Sequence, residues 1–112
     1  MRYVLLIKLN RNKNIKVGKI GKIKFLRGYY LYVGSAKNLK RIERHFYKNK
    51  KLKWHIDYLT TKKYVNVLQA YISNKEESEL AKFLGKYFKS IKKFGASDDK
   101  ICNSHLFIYD IK

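Results

Sequence analysis

Residues 29–46 read YYLYVGSAKNLKRIERHF, and this stretch decides the fold that we predict. Tyrosines alternate along a strand that ends at Gly34, and after a short turn a helix predicted over residues 37–48 carries Arg41 and His45. A phenol, a glycine that lets a substrate approach the backbone and a guanidinium would then border one small cleft. These groups together suit a phosphodiester substrate.

The rest of the chain alternates between strand and helix patterns. Residues 3–9 are apolar on both faces of a strand, which predicts a central strand. The other predicted elements are strands at residues 15–17, 23–25, 64–72 and 106–111, a short helix at 54–59, and a helix opened by a capping box of Ser73 and Glu76. We therefore predict one α+β domain over residues 1–112, a small central antiparallel or mixed sheet flanked by helices.

Two helices carry apolar stripes that predict buried faces. The helix over residues 37–48 has Leu39, Ile42 and Phe46, with Arg41 and His45 at the rim of that face. The helix after residue 73 has Leu80, Leu84, Tyr87, Phe88 and Ile91. Trp54 is predicted to join the core.

The charge of the chain favours a polyanionic partner. Lysine and arginine number 27 against 8 acids, a formal charge of +19, and no acid precedes Glu43. Such a charge destabilises a compact state by self-repulsion, so a polyanion explains why it is tolerated. An acidic membrane surface is the alternative, but no helix pattern carries the lipid-facing stripe of a membrane-binding segment. We expect nucleic acid, with DNA favoured over RNA, and no membrane.

The basic residues that we expect to contact nucleic acid lie in two places. Residues 15–17 and 23–25 alternate apolar and basic side chains, which predicts a hairpin with one lysine face. Lysines on such a face touch phosphates without reading bases. The expected contacts are Lys22 and Lys24 on the hairpin, and Gly34, Ser35, Lys37 and Arg44 at the turn and helix.

Several other side chains have two interpretations. Glu77 projects within the apolar stripe of its helix and could bind a divalent cation. Otherwise it is an ordinary first-turn acid favoured by the helix dipole, or the cap partner of Asn74 if the helix begins one residue later. Arg41 and His45 could hold a phosphate, or they are part of a solvated basic face. His105 and Cys102 lack the further ligands of a structural zinc site, so we expect packing or a hydrogen-bonded histidine.

Another pair, His55 and Asp57, is expected to fix the basic connector of residues 50–53 instead of acting in chemistry.

Taken together, these residues resemble the GIY-YIG nuclease superfamily. Tyr32-Val33-Gly34 looks like its second motif, and the residues from Ser35 to His45 look like the turn and helix that follow it. The first motif is reduced here to Tyr3. The fuller pattern is similar to a short, mostly archaeal single-domain branch without an assigned function, through GYY at residues 28–30, WHIDYL at 54–59 and SHLF at 104–107.

The resemblance implies roles for particular residues. Tyr3 or Tyr32 would deprotonate or orient the attacking water, and Arg41 would bind the scissile phosphate. His45 would assist the leaving oxygen or contact the backbone. Glu77, or as second choice Glu79, would hold one Mg²⁺ or Mn²⁺, since a hard divalent ion needs few protein oxygens when it shares the phosphate.

The sequence thus leads to a metal-dependent endonuclease, with DNA repair or processing as the context. The alternative is a non-catalytic nucleic-acid-binding module that retains the fold, and a third possibility is an interaction partner of a DNA-repair protein. The lone cysteine cannot form an internal disulfide, and no apolar run approaches the length of a bilayer. We expect a cytoplasmic monomer or weak dimer.

Overall fold

The computed structural model describes residues 1–94 and 104–110. A four-stranded sheet has the order β5-β1-β4-β6, and each neighbouring pair is antiparallel. Its strands are β1 (Arg2–Leu9), β4 (Gly28–Ser35), β5 (Val65–Ser73) and β6 (Leu106–Tyr109). The α+β prediction and the central position of the first strand are confirmed, and the sheet is antiparallel, not mixed.

Side chains of the two central strands divide the core into two layers. On one face Tyr3, Leu5, Ile7 and Leu9 are all buried, because β1 alternates its side chains across the sheet. The opposite face of β1 and β4 packs under a helix through Leu31, Val33, Leu80, Ala81 and Phe107. The first face is covered by the hairpin and by the short helical segments, whose buried residues share one core with Tyr3.

A second sheet contains only the predicted hairpin. Its strands are β2 (Lys13–Val17) and β3 (Gly21–Phe25), joined by a 3-10 turn at Gly18–Ile20. Ile15, Val17 and Phe25 point into the core. Both turn glycines have positive φ, 48° at Gly18 and 93° at Gly21, a conformation that side chains with a Cβ rarely adopt.

The helix predicted over residues 37–48 is shorter than expected. It forms α1 (Leu39–Glu43), whose first turn is capped by the Asn38 side chain, and then tightens into a 3-10 turn at Arg44–Phe46. The tighter turn changes the direction of the side chains that follow. Ile42 and His45 are buried, whereas Leu39 and Phe46 are exposed, so the predicted stripe was wrong at both ends.

Trp54 was wrongly predicted to be in the core. Its side chain is 52% exposed because it lies in the turn before α2 (Asp57–Thr60), whereas Ile56 and Leu59 are fully buried. The fully buried residues of the WHIDYL segment are therefore Ile56, Asp57 and Leu59, and not the tryptophan.

The last helix, α3 (Glu77–Gly85), begins and ends differently from the prediction. The capping box does not form, since Ser73 lies at the end of β5 and the Glu76 side chain makes an ion pair with Arg2 at 2.6 Å. Leu80 is buried, and Leu84, Phe88 and Ile91 are half-buried. Tyr87 is exposed because it follows the end of the helix. No helix in the described part of the chain is long and apolar enough to cross a membrane.

We expect Ile56→Ala to destabilise the fold far more than Trp54→Ala. Ile56 is fully buried, so its truncation should cost about 2–5 kcal/mol through lost burial and a cavity. Truncation of the exposed Trp54 should cost about 1 kcal/mol or less. Urea denaturation of both variants measures the difference. Equal costs would contradict the position of Trp54 in the structure.

Candidate active site at the ends of the central strands

A buried tyrosine–histidine pair forms the centre of the site. The Tyr3 hydroxyl lies 2.6 Å from Nε2 of His45, and both side chains are almost completely buried. Tyr3 comes from the start of β1, and His45 from the 3-10 turn after α1. Residues 42 positions apart are thus joined by one hydrogen bond, and either partner can donate its proton to the other.

Tyr32 completes a cluster of three rings. Its ring centroid lies 6.5 Å from that of Tyr3 and 6.3 Å from that of His45. Strand β4 puts Tyr32 and Gly34 on the same face of the sheet as Tyr3, since alternate residues of a strand share a face. The structure thus brings together both candidate tyrosines and the candidate histidine.

Gly34 makes room for the Tyr3 phenol. The two residues are direct partners across β1 and β4, and a Cβ added to Gly34 would overlap the hydroxyl end of the Tyr3 ring. The space above this glycine is therefore filled by Tyr3. We expected Gly34 to let a substrate approach the backbone, but here its missing side chain lets the phenol lie flat against the strand.

Burial controls the protonation of the three rings. It raises the pKa of the Tyr3 phenol, and the negative charge of Glu77 raises it further. Burial also raises the pKa of Tyr32, with Tyr3 and Glu77 as further causes. Burial and then the positive charge of Lys50 lower the pKa of His45 to about 4. Both phenols and the imidazole are therefore neutral at pH 7.

His45 also carries a buried atom without a partner. Its Nδ1 makes no hydrogen bond within residues 1–94 and 104–110. A buried polar atom that is left unpaired costs free energy, and such atoms cluster where a structure keeps a group ready for another role.

Glu77 is the carboxylate that the structure brings to these rings. It is the first residue of α3, and one of its oxygens accepts a hydrogen bond from the Ser35 hydroxyl at 2.9 Å. The other lies 3.0 Å from Nδ1 of His105. Its side chain is 33% exposed, so an ion or a substrate could still reach it. Glu79, the second choice, is exposed and has no such partners among the described residues.

The role of His105 was only partly visible in the sequence. A hydrogen-bonded histidine was expected and is confirmed, but its partner was not foreseen. Glu77 and His105 lie 28 residues apart, so no spacing rule connects them. Cys102, considered with His105 as a metal pair, lies outside the described residues.

The two arginines of the candidate site have different surroundings. Arg41 is exposed on α1, where its backbone N–H is bound by the Asn38 side chain. Arg44, which is also predicted to contact nucleic acid, donates two hydrogen bonds of 2.9 Å to the carboxylate of Asp57. This bidentate contact raises the pKa of Arg44. Of the two guanidiniums, the one at Arg41 is open to a substrate.

Asp57 holds the turn that carries His45. It is fully buried and also accepts hydrogen bonds from the backbone N–H groups of Lys53 and Trp54. Burial raises the pKa of this carboxyl, but the donors from Arg44 and the backbone outweigh it and lower the pKa overall. The expectation that Asp57 fixes the connector is confirmed.

Lys50 links the same network to His45. Its ammonium lies 3.9 Å from Asp57 and donates to the carbonyl oxygens of Arg44 and His45 at 3.1 and 3.3 Å. Burial lowers the pKa of Lys50 to about 8. Sequence reasoning missed this residue, because it lies in a run of lysines that reads as a solvated connector.

The remaining expected contacts are on the surface. Ser35 and Lys37 are exposed just after Gly34, and Lys22 and Lys24 are exposed on β3. The other histidine, His55, packs its ring against Phe94 with centroids 5.7 Å apart.

The donor set suits a divalent ion that shares its coordination with a substrate. Among residues 1–94 and 104–110 no group of three or more His, Cys, Asp or Glu side chains could hold a metal alone. Mg²⁺ commonly uses one or two carboxylates together with waters and substrate phosphates. The half-exposed carboxylate of Glu77 fits that arrangement.

Comparison with models of protein families shows which family the chain belongs to. A family model described as a domain of unknown function, DUF123, matches residues 2–112. The chain belongs to the DUF123 family. A search of curated proteins and a search of solved structures each found no match. The matched range includes every residue of the candidate site described above, from Tyr3 to His105.

We expect Gly34→Ala to destabilise the protein by about 1–3 kcal/mol, because the new methyl group overlaps the Tyr3 ring. Gly85→Ala is the matched control. A Cβ at Gly85 would meet Phe107 at an ordinary 3.7 Å, and alanine favours a helix, so this variant should be neutral or slightly stabilising. Thermal unfolding of both variants tests the contact. A harmless Gly34→Ala would show that Tyr3 does not lie against β4.

Acid should destabilise the protein partly through His45. Its pKa is about 4 in the folded state against 6.5 for an ordinary histidine, so the unfolded chain binds the proton more tightly. This part of the stability is present above pH 6.5 and is lost as the pH falls to about 4, up to ~3 kcal/mol in total. His45→Gln cannot titrate and should show a smaller loss in that window. Parallel curves of unfolding free energy against pH would contradict the buried neutral imidazole.

Proposed function

We propose that this DUF123 protein is a metal-dependent endonuclease that hydrolyses phosphodiester bonds in nucleic acid. The observation that carries the proposal is the buried hydrogen bond between Tyr3 and His45, beside Tyr32 and within the field of Glu77. The resemblance of the same residues to GIY-YIG nucleases supports it. The charge of +19 suits a polyanionic substrate, DNA before RNA, in a cytoplasmic setting of repair or processing.

The tyrosine–histidine pair can move the proton of the attacking water. The raised pKa of Tyr3 means that the phenol keeps its proton and cannot act as a standing base. It can instead take a proton from water while it passes its own to Nε2 of neutral His45, 2.6 Å away. The resulting imidazolium is favoured when the negative phosphate of a substrate lies nearby.

Glu77 would hold the Mg²⁺ or Mn²⁺ ion. A divalent ion supplies positive charge to the phosphate oxygens as the bond to phosphorus forms. The contacts of Glu77 with Ser35 and His105 fix the direction of its carboxylate, and a fixed ligand loses less freedom on binding. Ser35 and His105 are therefore positioning residues in this proposal.

Arg41 would bind the scissile phosphate. It lies on α1, four residues before His45, and it is exposed. Arginine offers a planar set of donors that suits phosphate oxygens. The engagement of Arg44 with buried Asp57 supports Arg41 as the phosphate contact and gives Arg44 a structural role.

A second candidate is a nucleic-acid-binding module without catalysis. One observation favours it: both carboxylate oxygens of Glu77 are already engaged, one by Ser35 and the other by His105. A metal ion must share this carboxylate with the two existing partners. If those contacts exclude the ion, the basic surface would still bind nucleic acid.

Variants of Arg41 and Glu77 test the catalytic proposal. We expect Arg41→Ala and Glu77→Gln each to lower the metal-dependent cleavage rate about 100-fold or more, because each removes stabilisation of developing charge. Arg41→Ala should weaken binding by about 1 kcal/mol. Glu77→Gln should bind equally well or better without metal, since it removes a negative charge near the phosphate. Lys40→Ala and Glu79→Gln, exposed neighbours on the same helices, are the matched controls.

The substrates should include nicked, flapped, branched and single-stranded DNA, each with an EDTA control. Cleavage that survives both substitutions would place the chemistry elsewhere. Wild-type protein that binds these substrates but cuts none of them with Mg²⁺ or Mn²⁺ would favour the binding module.

A further inference from the structure

The outer face of the hairpin is a rigid array of lysines. Lys16 and Lys22 are direct partners across β2 and β3, and Lys24 is paired with Asn14 on the same side. All four side chains are exposed, and no acid precedes Glu43 in the chain. None of the three lysines forms an ion pair with an acid in the described residues.

This arrangement is unfavourable without an anionic partner. Like charges placed directly opposite each other across two strands destabilise the pair. The hairpin cannot relieve that repulsion by moving away, because its other face is anchored by Ile15, Val17 and Phe25, which are almost completely buried in the core. The lysines are therefore held at fixed positions, as a preformed binding surface requires.

The hairpin joins the sheet far from the candidate active site. It leaves β1 at Leu9 and returns to β4 at Gly28, whereas Tyr3 and Gly34 lie at the other ends of these strands. The distance along β1 from Tyr3 to Leu9 is about 20 Å at the usual rise of a strand. Both regions nevertheless lie on the same face of the sheet, since Tyr3 and Phe25 belong to one core.

The residue types on the outer face of the hairpin favour duplex over single-stranded nucleic acid. Its outward residues are lysine and asparagine, and none is aromatic. Proteins that hold single strands combine basic grooves with aromatic side chains on which bases stack. A face with charge alone suits the phosphate backbone of a duplex, without base recognition.

We propose that Lys16, Lys22 and Lys24 form an anchoring site for the backbone of a nucleic-acid duplex, on the order of 20 Å from the bond that is cleaved. This inference rests on the proposed function and deepens it. The substrate must contain a duplex segment that extends about six base pairs from the cleavage site, at ~3.4 Å per pair. A shorter duplex reaches the active site but not the anchor.

The test compares two triple variants with equal charge. The first is Lys16→Gln/Lys22→Gln/Lys24→Gln. The control is Lys82→Gln/Lys86→Gln/Lys89→Gln, which removes three exposed lysines in and just after α3, the helix on the opposite face of the sheet. Circular dichroism and thermal unfolding check that both variants are folded. Fluorescence anisotropy then measures their binding to DNA duplexes over a range of salt concentrations.

We expect wild-type protein to show a log-log salt slope of magnitude about 4 or more. In the hairpin variant the magnitude of the slope should fall by about 2–3, and the affinity at 0.1 M salt should fall about ten-fold or more. In the control the magnitude of the slope should fall by less than about 1. Lengthening the duplex from about four to about ten base pairs should strengthen wild-type binding, and the hairpin variant should gain little.

Three results would overturn the inference while leaving the proposed function in place: equal losses in both variants, equal binding of short and long duplexes, or tighter binding of single strands than of duplexes. Wild-type protein that binds vesicles of anionic lipid but neither duplex nor single-stranded nucleic acid would overturn the inference and the proposed function together.

Discussion

The pairing of β1 with β4 is the constraint on which the rest of the site depends. In this register Tyr3 lies opposite Gly34, and the missing side chain of the glycine leaves the space that the phenol occupies. A shift of one residue would turn Tyr3 to the other face of the sheet. The phenol would then lie under α3 and away from His45. The two strands therefore determine the positions of Tyr3 and Tyr32, two of the three rings in the buried cluster.

A buried network of charged groups holds the turn that carries His45. His45 lies on a short 3-10 turn, which has little stability of its own. The turn is held by Lys50 through the carbonyl of His45, and Lys50 lies with Arg44 beside the carboxylate of Asp57. Burying charged groups is costly unless they are paired and hydrogen-bonded. Each charge here has partners, so the network fixes one position of the turn and with it the Tyr3–His45 bond.

The distribution of charge differs between two regions of the molecule. Asp57 and Glu77 have partners beside the ring cluster, whereas the only charged side chains on the outer face of the hairpin are lysines. A carboxylate beside neutral phenols could bind a cation, and a lysine face could bind phosphates. The proposed enzyme needs both, because a polyanionic substrate must be held while one of its phosphates meets the metal ion. The two regions lie on one connected core, which keeps the spacing between them constant.

From the sequence alone, local periodicity yields the order of strands along the chain and the lysine face of the hairpin, because periodicity is a property of neighbouring residues. The candidate set of Tyr3, Tyr32, His45 and Glu77 rests instead on the resemblance to the GIY-YIG motifs. The exposure of Trp54, the early end of α1 and the loss of the capping box were decided by tertiary structure, because packing and ion pairs override local propensity.

Contacts between distant residues were also decided only by the fold. Arg44, predicted to contact nucleic acid, forms an ion pair with Asp57, and His105 is the partner of Glu77 across 28 positions of sequence. A pattern read along the chain can say which chemical groups are available. It cannot predict which of them will be in contact, because contacts depend on strand register and on the direction of the chain after each turn.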